Sequence, residues 1–187
     1  GQIATQPGPV PEKGVDVWIL GSSDFSAELA ALLGLPFSFA DFFGNTGAHG
    51  PMVADLYRDK FKPSKYLDKP KINVALQVLC ANTMEKAEFI ASSRNLNKVS
   101  HQVKLGNGLL SASEASEYEL PTAAAKQIGL LKQSYIDGDP CYVKKRILEV
   151  SKKYGTDDIS IITTCYSYND REDSYRLIAE AFGISES

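Results

Sequence analysis

Apolar and polar positions along this chain alternate between two periods, and the switches between them mark the elements. Val15 to Leu20 is largely apolar and predicts a buried strand. It is followed by a helix from about Asp24 to Leu33, with Leu29, Leu32 and Leu33 on one side. Gly34 stops that helix and Pro36 breaks the chain again just beyond it. Pro36 to Phe43 is a second apolar run, and Met52, Val53, Leu56 and Tyr57 then recur with helical spacing. Ile72, Val74, Leu76, Val78 and Cys80 alternate with their neighbours as in a strand. Asn82, with Glu85 three residues on, reads as a capping-box start for a helix through Phe89, Ile90 and Ser93.

Residues 94–139 break the rhythm. They hold polar turns at Gly106, Gly108, Gly129 and Asp137-Gly138 and only short apolar pieces, the pattern of an inserted lid or binding loop. Order returns at Pro140 to Tyr154, where Val143, Ile147 and Val150 share a face and Gly155 closes the helix. "DISIITTCY" predicts a fourth strand, and a last helix carries Tyr175, Ile178 and Phe182 inward with Gly183 as its cap. Strand and helix alternating four times call for a parallel sheet with helices packed outside it. Length alone favours an open sheet, because a closed barrel of this type needs eight units and typically about 250 residues. Residues 1–14, with Pro7, Pro9 and Pro11, predict an extended lead-in, which leaves residues 15–187 as one domain.

Composition narrows the classes. The 187 residues carry 20 basic and 23 acidic side chains, a formal net charge of -3 with no basic patch suited to nucleic acid. The clustered Lys60, Lys62 and Lys65, and Lys144, Lys145, Lys152 and Lys153, read as solvated faces. No apolar stretch reaches the roughly 20 residues of a membrane span, and no signal peptide is recognisable. Cys80, Cys141 and Cys165 lack metal-ligand spacing and read as reduced thiols of a cytoplasmic protein, with no metal site expected.

Two stretches carry a family resemblance. "VWILGSSDFSAELAALLGLPFSFADFF" resembles the fifth strand, loop and helix and the sixth strand of the bacterial luciferase-like flavin monooxygenases. "YGTDDISIITTCYSYNDREDSYRLIAEAFG" is similar to that family's eighth strand and closing helix. "RDKFKPS" and "PKINVALQVLCANTMEKAEFIASS" resemble the family between them, so the likeness covers nearly the whole chain. It implies an α/β fold, an incomplete (β/α)8 TIM barrel made of the last four βα units with a long insertion before the final strand. It also implies FMN as cofactor, and O2 with a small organic substrate as partners. The family's catalytic residues in the first four units have no counterpart here, so none is assigned.

The resemblance gives Gly21-Ser22-Ser23 a role. In a parallel βα unit the loop after the strand meets the next helix's N-terminus, which carries roughly half a positive charge. Gly21 lets the backbone approach, while Ser22, Ser23 and Ser26 offer hydroxyls, and in the resembling family this turn holds the FMN phosphate. From the residues alone, Ser23 serves equally as an N-cap bonded near Ser26. Asp24 counts against an anion unless it faces away. Asp41, Phe42 and Phe43 fall at the mouth beyond the sixth strand, where aromatic rings flank a substrate or flavin, or belong to the core. Many relatives place a histidine where Phe42 stands. His49 and His101 read as surface residues, and Glu114, Glu117 and Glu119 as part of a solvated lid.

Three functions follow as expectations. In the first, the chain is the C-terminal half of an FMN-dependent monooxygenase, with residues 94–139 as a mobile cover excluding water. In the second, it is a non-enzymatic flavin binder or a half-barrel whose open edges pair with the N-terminal half or with another copy. In the third, it is a deazaflavin-dependent oxidoreductase of the same superfamily.

Overall fold

Phe37 and Phe39 face one side of a short strand and Ser38 the other, and this alternation sets the architecture. The computed structural model describes residues 15–44, 49–103, 105 and 108–184; the lead-in expected over residues 1–14 lies outside them. In chain order the elements are β1 (Ile19–Gly21), α1 (Asp24–Leu33), β2 (Phe37–Ala40), a 3-10 turn (Asp41–Phe43), α2 (His49–Lys60) and β3 (Ile72–Cys80). There follow α3 (Met84–Lys98), α4 (Ser100–Val103), α5 (Ala112–Ser116), α6 (Thr122–Ser134), β4 (Ile136–Gly138), α7 (Pro140–Tyr154), β5 (Ile159–Ile162) and α8 (Tyr168–Phe182).

Every strand pairing is parallel. β1 pairs with β2, β2 with the first half of β3 through Phe37↔Ile72 to Ala40↔Ala75, and β5 with the middle of β3 through Val74↔Ile159 to Gln77↔Ile162. Phe37, Phe39, Ile72, Val74, Leu76, Val78 and Cys80 enter one core together with residues of α1, α2, α7 and α8. All four of those helices therefore lie on the same side of the sheet. A doubly wound sheet places helices on both faces, whereas a (β/α)8 barrel keeps its helix ring outside, so the one-sided layer is the signature of a barrel segment. The fold is thus the α/β half of a TIM barrel.

The structure departs from the sequence reading in several places. β1 spans only Ile19–Gly21, and Val15, Val17 and Leu20 of the expected buried strand are 52–69% exposed. Thr83, not Asn82, caps α3, and Tyr175, expected to point inward, is 42% exposed. Helix α1 buries Ala27, Ala30 and Ala31, while Leu29, Leu32 and Leu33 are 38–54% exposed. Both stripes have helical spacing, and the small alanines are the ones that let α1 approach the sheet closely. The described residues within 94–139 are substantially helical: α3 runs on to Lys98, and α4, α5 and α6 enclose a separate core of Leu96, Val99, Val103, Ala115 and Ala124. Finally, Asp137-Gly138 is strand, not turn. β4 pairs Val78↔Ile136 to Cys80↔Gly138 at the end of β3, giving five strands among the described residues where four are expected.

Candidate functional site

β1 and β2 end side by side, with Gly21 paired to Phe39, so the two candidate segments emerge at the same, C-terminal edge of the sheet. At the first, a Cβ on Gly21 would collide with the Ser26 side chain, and only glycine lets helix α1 start this close to the strand. Ser23 is the N-cap: its Oγ accepts the Ser26 amide at 3.4 Å, and Ser26 Oγ accepts the Ser23 amide at 3.3 Å. Ser26 Oγ also donates to the Ser23 carbonyl at 2.7 Å. The N-cap reading of Ser23 and Ser26 is therefore realised. Ser23 and Asp24 remain exposed, and the amides of Asp24 and Phe25 precede the first intrahelical hydrogen bond, so the turn still presents N–H groups and the helix dipole to solvent. This donor set fits a phosphate, with Ser22 and the first-turn amides as the groups left to hold it. Asp24 turns to His49 Nε2 at 3.1 Å, across the gap between the starts of α1 and α2. His49 lies at the surface, as expected, and there meets the Asp24 carboxylate.

At the second segment the rings of Phe42 and Phe43 lie 4.6 Å apart, and Phe43 is 51% exposed. Asp41 is held from the helix layer, its Oδ2 accepting the hydroxyl of the buried Tyr154 at 3.0 Å. Burial, reinforced by the Asp41 carboxylate, pushes the Tyr154 phenol well above its usual range, so it donates as a neutral group. Gly50 leaves room for that hydroxyl; a Cβ there would run into Tyr154 and Phe39.

The face of the sheet turned away from α1, α2, α7 and α8 carries polar residues that the sequence reading passed over. Ser38 Oγ donates to Asn73 Oδ1 at 2.8 Å, and Asn73 Nδ2 donates to Asp158 Oδ1 at 2.7 Å and to Ser160 Oγ at 3.0 Å. One layer higher, Thr164 Oγ1 donates to Gln77 Oε1 at 3.1 Å, while the buried Gln77 Nε2 has no partner among the described residues. Asn73 and Gln77 are four apart in an otherwise apolar strand, and that spacing was the available signal. Beside them, Leu20 and Ile162 are 58% and 37% exposed.

The remaining candidates stay apart from these segments. Glu114 closes a capping box with Ser111, whose hydroxyl and amide hold its carboxyl below the usual range. His101 is exposed beside Gln102. Cys80 and Cys165 are buried, Cys141 is exposed, and none forms a disulfide. Among the described residues no group of three or more His, Cys, Asp or Glu could hold a metal, and no helix is long and apolar enough to cross a membrane.

No protein-family model matches the chain. It is 34% identical over 168 residues to the uncharacterized protein YwcH of Bacillus subtilis, across 89% of this chain and 50% of that protein. It is 31% identical over 180 residues to a luciferase-like monooxygenase of Escherichia coli K12, across 90% of this chain and 50% of the relative. The chain thus spans about half the length of the curated relatives it matches. Among solved structures, that of apo-MsnO8 superposes with a TM-score of 0.84 at 26% identity, covering 99% of this chain and 56% of the other.

Proposed function

Because the chain belongs to the luciferase-like flavin monooxygenase family, we propose that it forms the C-terminal half of an FMN-dependent monooxygenase that oxidises a small organic substrate with O2. The observation that carries this reading is the open turn at Gly21–Ser26, where hydroxyl and amide donors gather at a helix N-terminus on the C-terminal edge of a half-barrel sheet. Bound FMN would supply the redox chemistry and the reaction with O2. Ser22 and the amides of Asp24 and Phe25 bind the phosphate, with Ser23 and Ser26 holding those amides in place by capping. Asp24 brings a competing carboxylate to the start of α1, and His49 engages it at 3.1 Å. Phe42 and Phe43 form an apolar wall at the mouth, and the helical segment 94–139 shields it from water.

β1 and β5 each have one partner strand among the described residues, and Leu20 and Ile162 are exposed beside them. These edges support completion of the barrel by the four units of the N-terminal half; pairing with another copy is the alternative.

The test is oxygen uptake by the complete protein supplied with reduced FMN and a panel of small organic substrates. Substrate-dependent uptake with oxygen incorporation is expected. Hydride transfer with a deazaflavin, seen in the absorbance of the bound cofactor, together with no uptake, would replace the monooxygenase reading.

A further inference from the structure

Segment 94–137 begins and ends on one buried ion pair. Arg94, with its side chain 1% exposed, donates Nη1 to Asp137 Oδ1 at 3.0 Å and Nη2 to Asp137 Oδ2 at 2.6 Å. Its Nε and Nη2 also donate to Asn95 Oδ1, at 3.2 and 2.9 Å. Nearly all of its donors are thereby committed, and the guanidinium serves as a fixed strut.

That strut reaches the mouth. Arg94 Cζ lies 4.4 Å from the ring centroid of Tyr135, which is 3% exposed. The same ring also packs against the end of the 3-10 turn: a Cβ on Gly44 would fall 2.8 Å from Tyr135 Cε1, and Tyr135 Oη donates to the Phe43 carbonyl at 3.4 Å. A single aromatic side chain therefore connects a buried cation in α3 to the turn bearing Phe42 and Phe43. The hydrogen bond is long and so weak. Ring packing and the cation–π contact do most of the holding.

We infer that Arg94 and Tyr135 are positioning residues: they fix the Phe42–Phe43 wall from the side of the insertion, so that the helical segment and the mouth form one unit. Their importance for substrate choice rests on the proposed reading in which these two rings flank the substrate. Neither residue touches the reacting atoms; each acts through the turn.

The experiment is amide hydrogen exchange on the protein and four variants, comparing residues 41–44 with β3, alongside a titration with FMN as probe. Tyr135→Leu removes the ring and is expected to speed exchange at 41–44 roughly tenfold, leaving β3 unchanged. Tyr135→Phe keeps the ring and loses only the weak hydrogen bond, so about twofold or less is expected. Arg94→Met is expected to match Tyr135→Leu, and Arg94→Lys, which keeps a cation over the ring, to recover much of the loss. FMN affinity stays within about twofold throughout, since the phosphate turn is not touched. Unchanged exchange at 41–44 in Tyr135→Leu, or equal acceleration there and in β3, overturns the inference. If Arg94→Met fails to fold, the two Tyr135 variants decide. Absence of FMN binding in the unaltered protein counts against the proposed function and leaves the exchange result to judge the coupling alone.

Discussion

Tyr154, near the end of α7, donates its hydroxyl to Asp41, just past the end of β2, at 3.0 Å and across the backbone of Gly50. One buried contact thus joins a helix of the outer layer to the turn that follows β2. Tyr154→Phe is expected to lower stability by about 1.5–3 kcal/mol in urea denaturation, the range for a hydrogen bond to a charged acceptor. Gly50→Ala forces a methyl group against the same hydroxyl and against Phe39, at a cost of about 1–3 kcal/mol. The double variant should be milder than the sum of the two, because Phe removes one of the atoms that collide. Strict additivity would mean that the packing at Gly50 does not depend on Tyr154.

The two serines of the first turn separate by role. Ser23→Ala deletes an N-cap and is expected to cost about 1 kcal/mol whether or not any ligand is present. Ser22→Ala caps nothing and should change stability by less than about 0.5 kcal/mol. Thermal unfolding without ligand checks both; a large effect at Ser22 would give it a structural task that the geometry does not.

Asp24 brings a carboxylate to the start of α1, where it meets His49. Asp24→Asn should tighten FMN binding by about two- to fivefold, since a charge at a helix terminus is worth roughly 0.3–1 kcal/mol. The same change should slightly weaken the unliganded helix. Weaker FMN binding in the variant would make Asp24 a support of the phosphate turn instead of its competitor.

Burial raises the Cys80 thiol from 9.0 to about 11, with Asp139 adding to the effect. Between those values the native state holds a proton that the unfolded chain has lost, so stability falls as pH rises through this window and is unaffected below it. The loss attributable to Cys80 is at most about 2–3 kcal/mol, and Cys80→Ala should flatten that part of the profile. Thiol titration offers a second check. At pH 8 the exposed Cys141 should react quickly while Cys80 and Cys165 wait for unfolding.

The parallel strands and the caps at Gly34, Gly155 and Gly183 were legible because local signals agree with the tertiary outcome, whereas the one-sided helix layer was expected only through the family resemblance, since length alone favours an open sheet. Where two stripes of α1 had the same period, spacing could not choose between Ala27, Ala30 and Ala31 and the leucines. β4 was invisible because Asp137-Gly138 carries turn chemistry. Its strand conformation comes from pairing with Val78–Cys80 and from Arg94, residues distant in sequence. At the C-terminal edge of the sheet, Ser22, Ser23, Phe42 and Phe43 stand out by type, while Tyr154, Tyr135 and Arg94 look like ordinary helix or loop residues until the fold brings them in.

The most direct measurement is a fluorescence titration of the protein with FMN and with riboflavin, repeated on the variant carrying Ser22→Ala and Ser23→Ala. FMN is expected to bind more tightly than riboflavin, and the double substitution to weaken FMN about tenfold or more while leaving riboflavin unchanged. Equal affinity for the two flavins, or an unaltered FMN affinity in the variant, would contradict a phosphate held at this turn.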